Sequence, residues 1–407
     1  MFLWGFLKDL KRNIVYVFTF TGWILYNNMG MIRECYAGNK DTDSSLSNIF
    51  LWLTVTSVLI FLGIKFIKTR KIKSSFSFIE NLNVSNKTFF ILIGLDVVLT
   101  IYKIILAGGF YEYFYAGYGM KIESSFMTFF NLFSGILNNA LLLTFPFIRY
   151  KVPLYMKVIA LLYFFFNIVL DAIGGSSLAI FSPFLLLFTF LYFTIKINHN
   201  KTNLKKWMCV LLFFAVVSGV LIRQNRTDNS NFSTDVLYTA VDDIMKSATF
   251  DNISNLEKIF QIEPTYTPGQ FVYPYIHFLP RSAFEWKPME MGRVVAYKIK
   301  GYDESRMVGF IPSPLGEFYY DFGYLGIILG MLYVGIIIAL FQEMMNNSSE
   351  SPWKLVIVLG FCRYTTILAG WYTGFGVREV RLGLFVLLLL FINQFFKSKK
   401  IKYGTPD

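Results

Sequence analysis

Apolar residues in this chain form long unbroken runs, and polar residues gather between the runs. They fall near residues 14–32, 47–67, 88–107, 126–148, 158–174, 178–195, 207–222, 322–341, 355–373 and 380–396. Each is long enough for a helix to cross roughly 30 Å of hydrocarbon. The alternation of an outer-membrane strand is missing, so a helix is the spanning form that satisfies its own backbone. The pattern predicts an all-α polytopic membrane protein with about ten transmembrane helices.

Connections between runs are short until residue 222, where the texture changes. Segment 223–321 opens on the polar stretch RQNRTDNSN and then predicts two short amphipathic helices. In the first, Val236, Ala240, Val241, Ile244 and Ala248 recur at helical spacing behind Ser233 or Thr234. In the second, Ser254 to Glu257 fits a capping box ahead of Ile259 and Phe260. Beyond Pro264 the segment is aromatic and punctuated by proline, a composition suited to lying along the membrane surface. The resulting division is a seven-helix membrane region at 1–222, a large external loop at 223–321, and a three-helix membrane region with a cytoplasmic tail at 322–407.

Composition agrees: 55% of residues are hydrophobic and only 16% charged, which excludes an ordinary soluble domain. Net charge is +12, yet with both termini cytoplasmic the basic surplus falls on the cytoplasmic side and the opposite side is slightly acidic. The basic balance therefore reflects membrane orientation, and no nucleic-acid partner is implied. Cys35, Cys209 and Cys362 are scattered, with no metal-ligand or disulfide spacing. Lys8, Lys11 and Arg12 precede the first apolar run, but no small-residue cleavage site follows, so this run reads as an uncleaved span.

Candidate chemistry collects where 223–321 meets the membrane. Arg223 and Arg226 follow the seventh run and are either snorkelling anchors or phosphate contacts. Arg281 and Lys287, flanked by aromatics and proline, are suited to hold a cation in fixed geometry against phosphate. Arg378 and Arg381 lie three apart at the start of the last run and share a helix face. Like charges there are costly unless they meet an anion, whether a diphosphate or a lipid headgroup. Glu317 and Asp321 lie four apart in what the pattern makes the first turn of the eighth span. They either complement the helix dipole or act as general base toward a sugar hydroxyl. His277 is a further candidate base, or a structural histidine. Asp96 and Lys103 share a face of the third run and predict a polar contact inside the bundle, extended by Asn138, Asn139, Asn167 and Asp171.

The segment FLPRSAFEWKP (278–288), followed by GFIPSPLGEFYYDFGYLG (309–326), resembles the Wzy-type bacterial oligosaccharide repeat-unit polymerases of O-antigen and capsule synthesis. The matching positions are Pro280, Arg281, Lys287 and Pro288, then Pro312, Gly316, Glu317, Tyr319, Phe322 and Gly323. Asp321 stands where family members often carry Asn, and Ser176 and Ser177 stand where many carry Arg, so no phosphate contact is carried over to that hairpin. The resemblance implies a glycosyltransferase of the bacterial cytoplasmic membrane that joins polyprenyl-diphosphate-linked oligosaccharides on the outer leaflet. Arg223, Arg226, Arg281, Lys287, Arg378 and Arg381 would then meet the diphosphate, and Glu317, Asp321 or His277 would take the acceptor proton. No nucleotide-sugar fold is needed, because the donor is already activated, and the external loop holds no metal-ligand cluster, so no cofactor or metal is expected. A chain-length regulator and a flippase are candidate partners. An O-antigen ligase, or a polysaccharide flippase or transporter, is the alternative.

Overall fold

The computed structural model describes residues 13–32 in part, 43–70, 82–109 except 83 and 107, 125–149, 152–173, 183–194 in part, 252–303 except 278 and 280–283, 313–346, 352–363 and 376–396. Among the described residues the fold is helical and contains no strand. The membrane region begins with α1 (Asp43–Arg70), α2 (Asn86–Leu106) and α3 (Ser125–Leu137). A 3₁₀ turn (Asn138–Leu143) leads into α4 (Thr144–Arg149), which precedes α5 (Leu154–Ile173). The later part holds α6 (Asn252–Ile259), α7 (Gly269–Ile276), α8 (Met291–Val294), α9 (Pro314–Asn346), α10 (Pro352–Arg363) and α11 (Val377–Phe395).

Ser47–Lys68, Asn86–Leu106, Leu132–Arg149 and Pro314–Asn346 are long and apolar enough to cross a membrane, and Leu154–Leu170 is a shorter apolar helix. Phe50, Leu62, Val98, Ile105, Leu162 and Phe165 point outward from α1, α2 and α5, as side chains facing lipid do. The runs expected at 178–195 and 207–222 lie partly and wholly outside the described residues, as does the amphipathic helix expected at 236–248. The second amphipathic helix exists as α6, but it starts at Asn252, so Ser254 lies inside it and is not its cap.

The run at 126–148 is one apolar stretch but a broken helix. Pro146 has no N–H for the carbonyl of Leu142 and its ring presses on that carbonyl, so the turn before it tightens to 3₁₀. Local side chains take up backbone groups: Thr144 Oγ1 donates to Leu141 O at 2.6 Å and Asn139 Nδ2 to Ile136 O at 3.0 Å. α9 and α1 cross backbone to backbone. A Cβ at Gly63 would overlap the Leu332 carbonyl, and one at Gly335 would overlap that of Ile60. Close approach of this kind supplies the packing that hydrophobicity cannot drive inside lipid.

The eighth run also differs from expectation. α9 is interrupted at Phe322 (φ −141°, ψ 24°) and Gly323 (φ 61°, ψ −146°), a conformation that only glycine adopts readily. Residues after the kink rise about 34 Å, enough to cross the bilayer unaided. Pro314–Asp321 is therefore a separate two-turn helix folded back on the span. A Cβ at Gly326 would overlap the Phe318 carbonyl, and one at Gly330 would overlap the Phe318 ring. Tyr319 Oη donates to Phe260 O at 3.0 Å and the Thr265 N–H to Tyr320 O at 2.8 Å, tying the short helix to the end of α6.

Candidate active site

The short helix α7 is the centrepiece, and charged side chains hold it at both ends. Asp321, fully buried, accepts the Gln270 N–H at 2.9 Å and the Phe271 N–H at 3.0 Å, satisfying donors that the first turn leaves open. At the other end Lys287 Nζ donates to His277 O at 2.6 Å and Leu279 O at 2.8 Å, and lies 5.2 Å from the centre of the Tyr273 ring. A carboxylate at the start and an ammonium at the end both complement the helix dipole. Gln270, buried, locks the flank: its Nε2 donates to Met289 O at 2.8 Å and its Oε1 accepts the Met291 N–H at 3.0 Å. Asp321→Asn replaces a charged acceptor by a neutral one, and should cost about 1 kcal/mol in unfolding measured in detergent.

α7 is held against α9 on one side and α11 on the other. Its C-terminal residues face the first turns of α11. Tyr275 lies within hydrogen-bonding reach of Tyr333 and in the field of Glu379, and burial with these neighbours pushes its phenol up to about 12. His277 Nδ1 donates to Pro274 O at 2.7 Å, a tautomer fixed by the carbonyl's being an acceptor. Burial, with the charges of Arg381 and Lys287, pushes its imidazole down to about 4. Its ring is neutral near pH 7 and is a weak proton acceptor.

That value carries a stability consequence. The folded protein holds His277 unprotonated down to about 4, whereas the unfolded chain binds the proton near the ordinary value of 6.5. Between these values the unfolded state binds more protons, so stability rises with pH across the window and falls on acidification. Thermal unfolding in detergent should show a loss on going from pH 7 to pH 5, and His277→Gln should reduce that slope.

Arg381 turns into the bundle. A Cβ at Gly135 would lie 2.9 Å from its Nη1 and 3.0 Å from its Cζ, so the guanidinium occupies space that glycine leaves on α3. It is electrostatically coupled to His277 on one side and to Lys103 of α2 on the other. Lys103 is also coupled to Asp96, which accepts a hydrogen bond from Tyr163 Oη at 2.5 Å. With its amide oriented to satisfy both contacts, Asn138 Nδ2 donates to Asp96 Oδ1 at 3.1 Å and Ser134 O at 2.9 Å. Asn139 Nδ2 bonds the Ile136 carbonyl at 3.0 Å, Asn167 Nδ2 bonds Tyr163 O at 2.9 Å, and the Asp171 side chain lies outside the described residues. Lys103, Arg381 and Lys287 thus lie in a chain of electrostatic couplings, with the neutral His277 between the last two.

The expected site residues sort accordingly. His277, Lys287 and Arg381 come together. Asp321 is drawn into holding α7, and Lys287 donates to backbone carbonyls at its other end. Glu317 is fully buried on the same short helix as Asp321, beside Gly316, where a Cβ would lie 2.8 Å from Ile259 Cδ1 of α6. Arg378 is exposed and Arg381 is not, so the two do not present one uniform face. Arg223, Arg226 and Arg281 lie outside the described residues. The sequence reading missed Gln270, which no motif signals, and the meeting of Lys103 with Arg381. Among the described residues, no group of three or more His, Cys, Asp or Glu has the arrangement of a metal site.

The family model for O-antigen polysaccharide polymerase Wzy matches residues 1–400. The chain belongs to the Wzy O-antigen polymerase family. Like that family, it is a multi-pass inner-membrane repeat-unit polymerase acting on lipid-linked oligosaccharides. No curated protein and no solved structure matches the chain.

Proposed function

We propose that the chain transfers a glycan from its polyprenyl diphosphate to the non-reducing-end hydroxyl of a second lipid-linked repeat unit, on the outer face of the cytoplasmic membrane. In this reading residues 1–222 and 322–407 supply ten spans with both termini cytoplasmic, and 223–321 is the external loop. The single observation that carries it is the placing of Arg381 and Lys287 about His277 at the end of α7, with Lys103 of α2 in the field of Arg381. Three positive groups from separate elements, Lys103, Arg381 and Lys287, surround or adjoin the neutral His277 ring, which suits a diphosphate. Arg381 grips the phosphate oxygens, Arg378 at the exposed edge attracts the lipid-linked anion, and Arg223, Arg226 and Arg281 add charge from the loop.

The transfer breaks the bond between the anomeric carbon and the phosphate oxygen, and the electron pair leaves with the diphosphate. The acceptor oxygen forms the new bond to that carbon and gives its proton to a carboxylate of the site. Aromatic and proline residues of 264–288 border the membrane side and limit water, which would otherwise hydrolyse the donor.

Deleting the gene and sizing the surface glycan on a gel tests the reading. The expected result is a lost ladder with one repeat retained on the cell surface. An unchanged ladder would contradict it. So would single repeat units left facing the cytoplasm, the signature of a lost flippase. Dependence of the purified protein on a lipopolysaccharide acceptor would indicate a ligase.

A further inference from the structure

Among the described residues, Tyr266 alone of the non-glycine residues has a positive φ, at 52°. A bulky side chain is strained in that region, which glycine enters freely. Little packing offsets the strain, since Tyr266 is 68% exposed. Neighbours fix the loop instead. Thr265 donates its N–H at 2.8 Å and its hydroxyl at 3.1 Å to Tyr320 O. Thr267 Oγ1 donates to Thr265 Oγ1 at 3.1 Å, and the Gly269 N–H to Thr267 O at 2.8 Å. The ring is thus held outward on a pinned backbone, in the field of Tyr319, whose own ring packs on Phe260 with centroids 4.8 Å apart. Strain kept in place by surrounding structure, with no packing to show for it, points to a ligand.

The surroundings indicate which ligand. A ring anchored in lipid has apolar neighbours, whereas the exposed residues beside Tyr266 in the chain are Glu263, Thr265, Thr267 and Pro268. On the Tyr320 side, the exposed Lys298 donates from Nζ to Tyr320 Oη at 3.4 Å. A sugar ring has an apolar C–H face and a rim of hydroxyls, and it matches an aromatic face bordered by hydroxyl, carboxylate and ammonium groups. Tyr266 also precedes the start of α7, whereas Lys287 and Arg381 lie at its far end. The eight residues of α7 rise about 12 Å, a span that a few sugar rings cover. From this geometry we infer that Tyr266 is a glycan-binding residue, stacking on a sugar ring of the donor oligosaccharide whose diphosphate lies at the other end of α7. The inference rests on the repeat-unit transfer proposed above. Tyr266 touches substrate remote from the bond that breaks, so it contributes to binding and not to the chemical step.

The test uses the full-length chain in lipid vesicles, with lipid-linked repeat units extracted from cells lacking the gene. Tyr266→Ala should raise KM about tenfold with kcat little changed, and Tyr266→Phe should stay within about threefold of wild type because the ring face is kept. Tyr266→Gly relieves the backbone strain, so its melting temperature should hold or rise while KM rises as in the alanine variant. A merely structural residue would not divide the two readouts in that way. KM within about twofold of wild type in both variants would overturn the inference, as would a fall in melting temperature with Tyr266→Gly. A second readout needs no turnover. Oligosaccharide released by mild acid from the same lipid-linked repeats should change the fluorescence that Tyr266→Trp adds over wild type, and brominated lipid should leave it unchanged. Quenching by brominated lipid with no response to oligosaccharide would make Tyr266 a membrane anchor and overturn the inference. Failure of the wild-type protein to elongate, with the oligosaccharide response intact, would strike at the polymerase reading and uphold the glycan site.

Discussion

Arg381→Ala lowers elongation by about two to three orders of magnitude while the protein stays folded in the membrane. Three observations set this expectation. The guanidinium is directed inward against Gly135, it lies in the field of Lys103 and His277, and it is at the head of the helix that faces α7. Its removal is felt when a departing diphosphate develops charge and lacks a fixed positive partner. Arg381→Lys should recover little, because a point charge cannot reproduce the planar fork that meets two phosphate oxygens. Gly135→Ala provides a reciprocal check: the new methyl, 2.9 Å from Nη1, displaces the guanidinium without removing its charge. Elongation assays and melting temperatures on the three variants measure these effects. Near wild-type turnover in Arg381→Ala would assign the residue to anchoring alone.

Gly326→Ala is the second large effect, and it acts through shape. The alanine methyl would overlap the Phe318 carbonyl, a backbone atom that cannot swing aside as a side chain can. The short helix Pro314–Asp321 would have to lift from the span, taking Asp321 away from the first turn of α7. Loss of roughly 3 kcal/mol of stability is expected, at the upper end for overpacking, together with loss of polymer. Gly383, in α11, is the internal control. Nothing lies within 4 Å of a Cβ there, so Gly383→Ala should be silent or stabilising by about 0.5 kcal/mol. Detergent melting curves of both variants decide the matter, and equal behaviour would contradict the folded-back arrangement.

Much of the fold was legible because spanning helices are written as apolar runs. The stretches at 47–67, 88–107 and 322–341 correspond to helices long enough to cross a membrane, and the helical reading of 158–174 and 380–396 agrees with α5 and α11. The breaks within runs were not legible from apolarity, since Phe322 and Leu142 are as hydrophobic as their neighbours. Gly323 and Pro146 were the available signals. The pairing of Glu317 with Asp321 on one helix face held, but the helix is the short one before the kink.

The site was partly legible for a related reason. Arg381, His277 and Lys287 stood out as charges at a membrane boundary. Their partners come from distant segments, so spacing could not show that Lys287 would meet the carbonyls after α7 or that Asp321 would meet its first N–H groups.

The most direct measurement uses a donor whose polyprenyl diphosphate carries a photoreactive group on the isoprene next to the phosphates. Irradiated in vesicles containing the full-length chain, it should label residues of α7 and the first turns of α11, and Arg381→Ala should diminish that labelling. Label confined to the opposite ends of the spans, near Lys68 and Glu343, would place the diphosphate on the wrong side of the bundle and contradict the account.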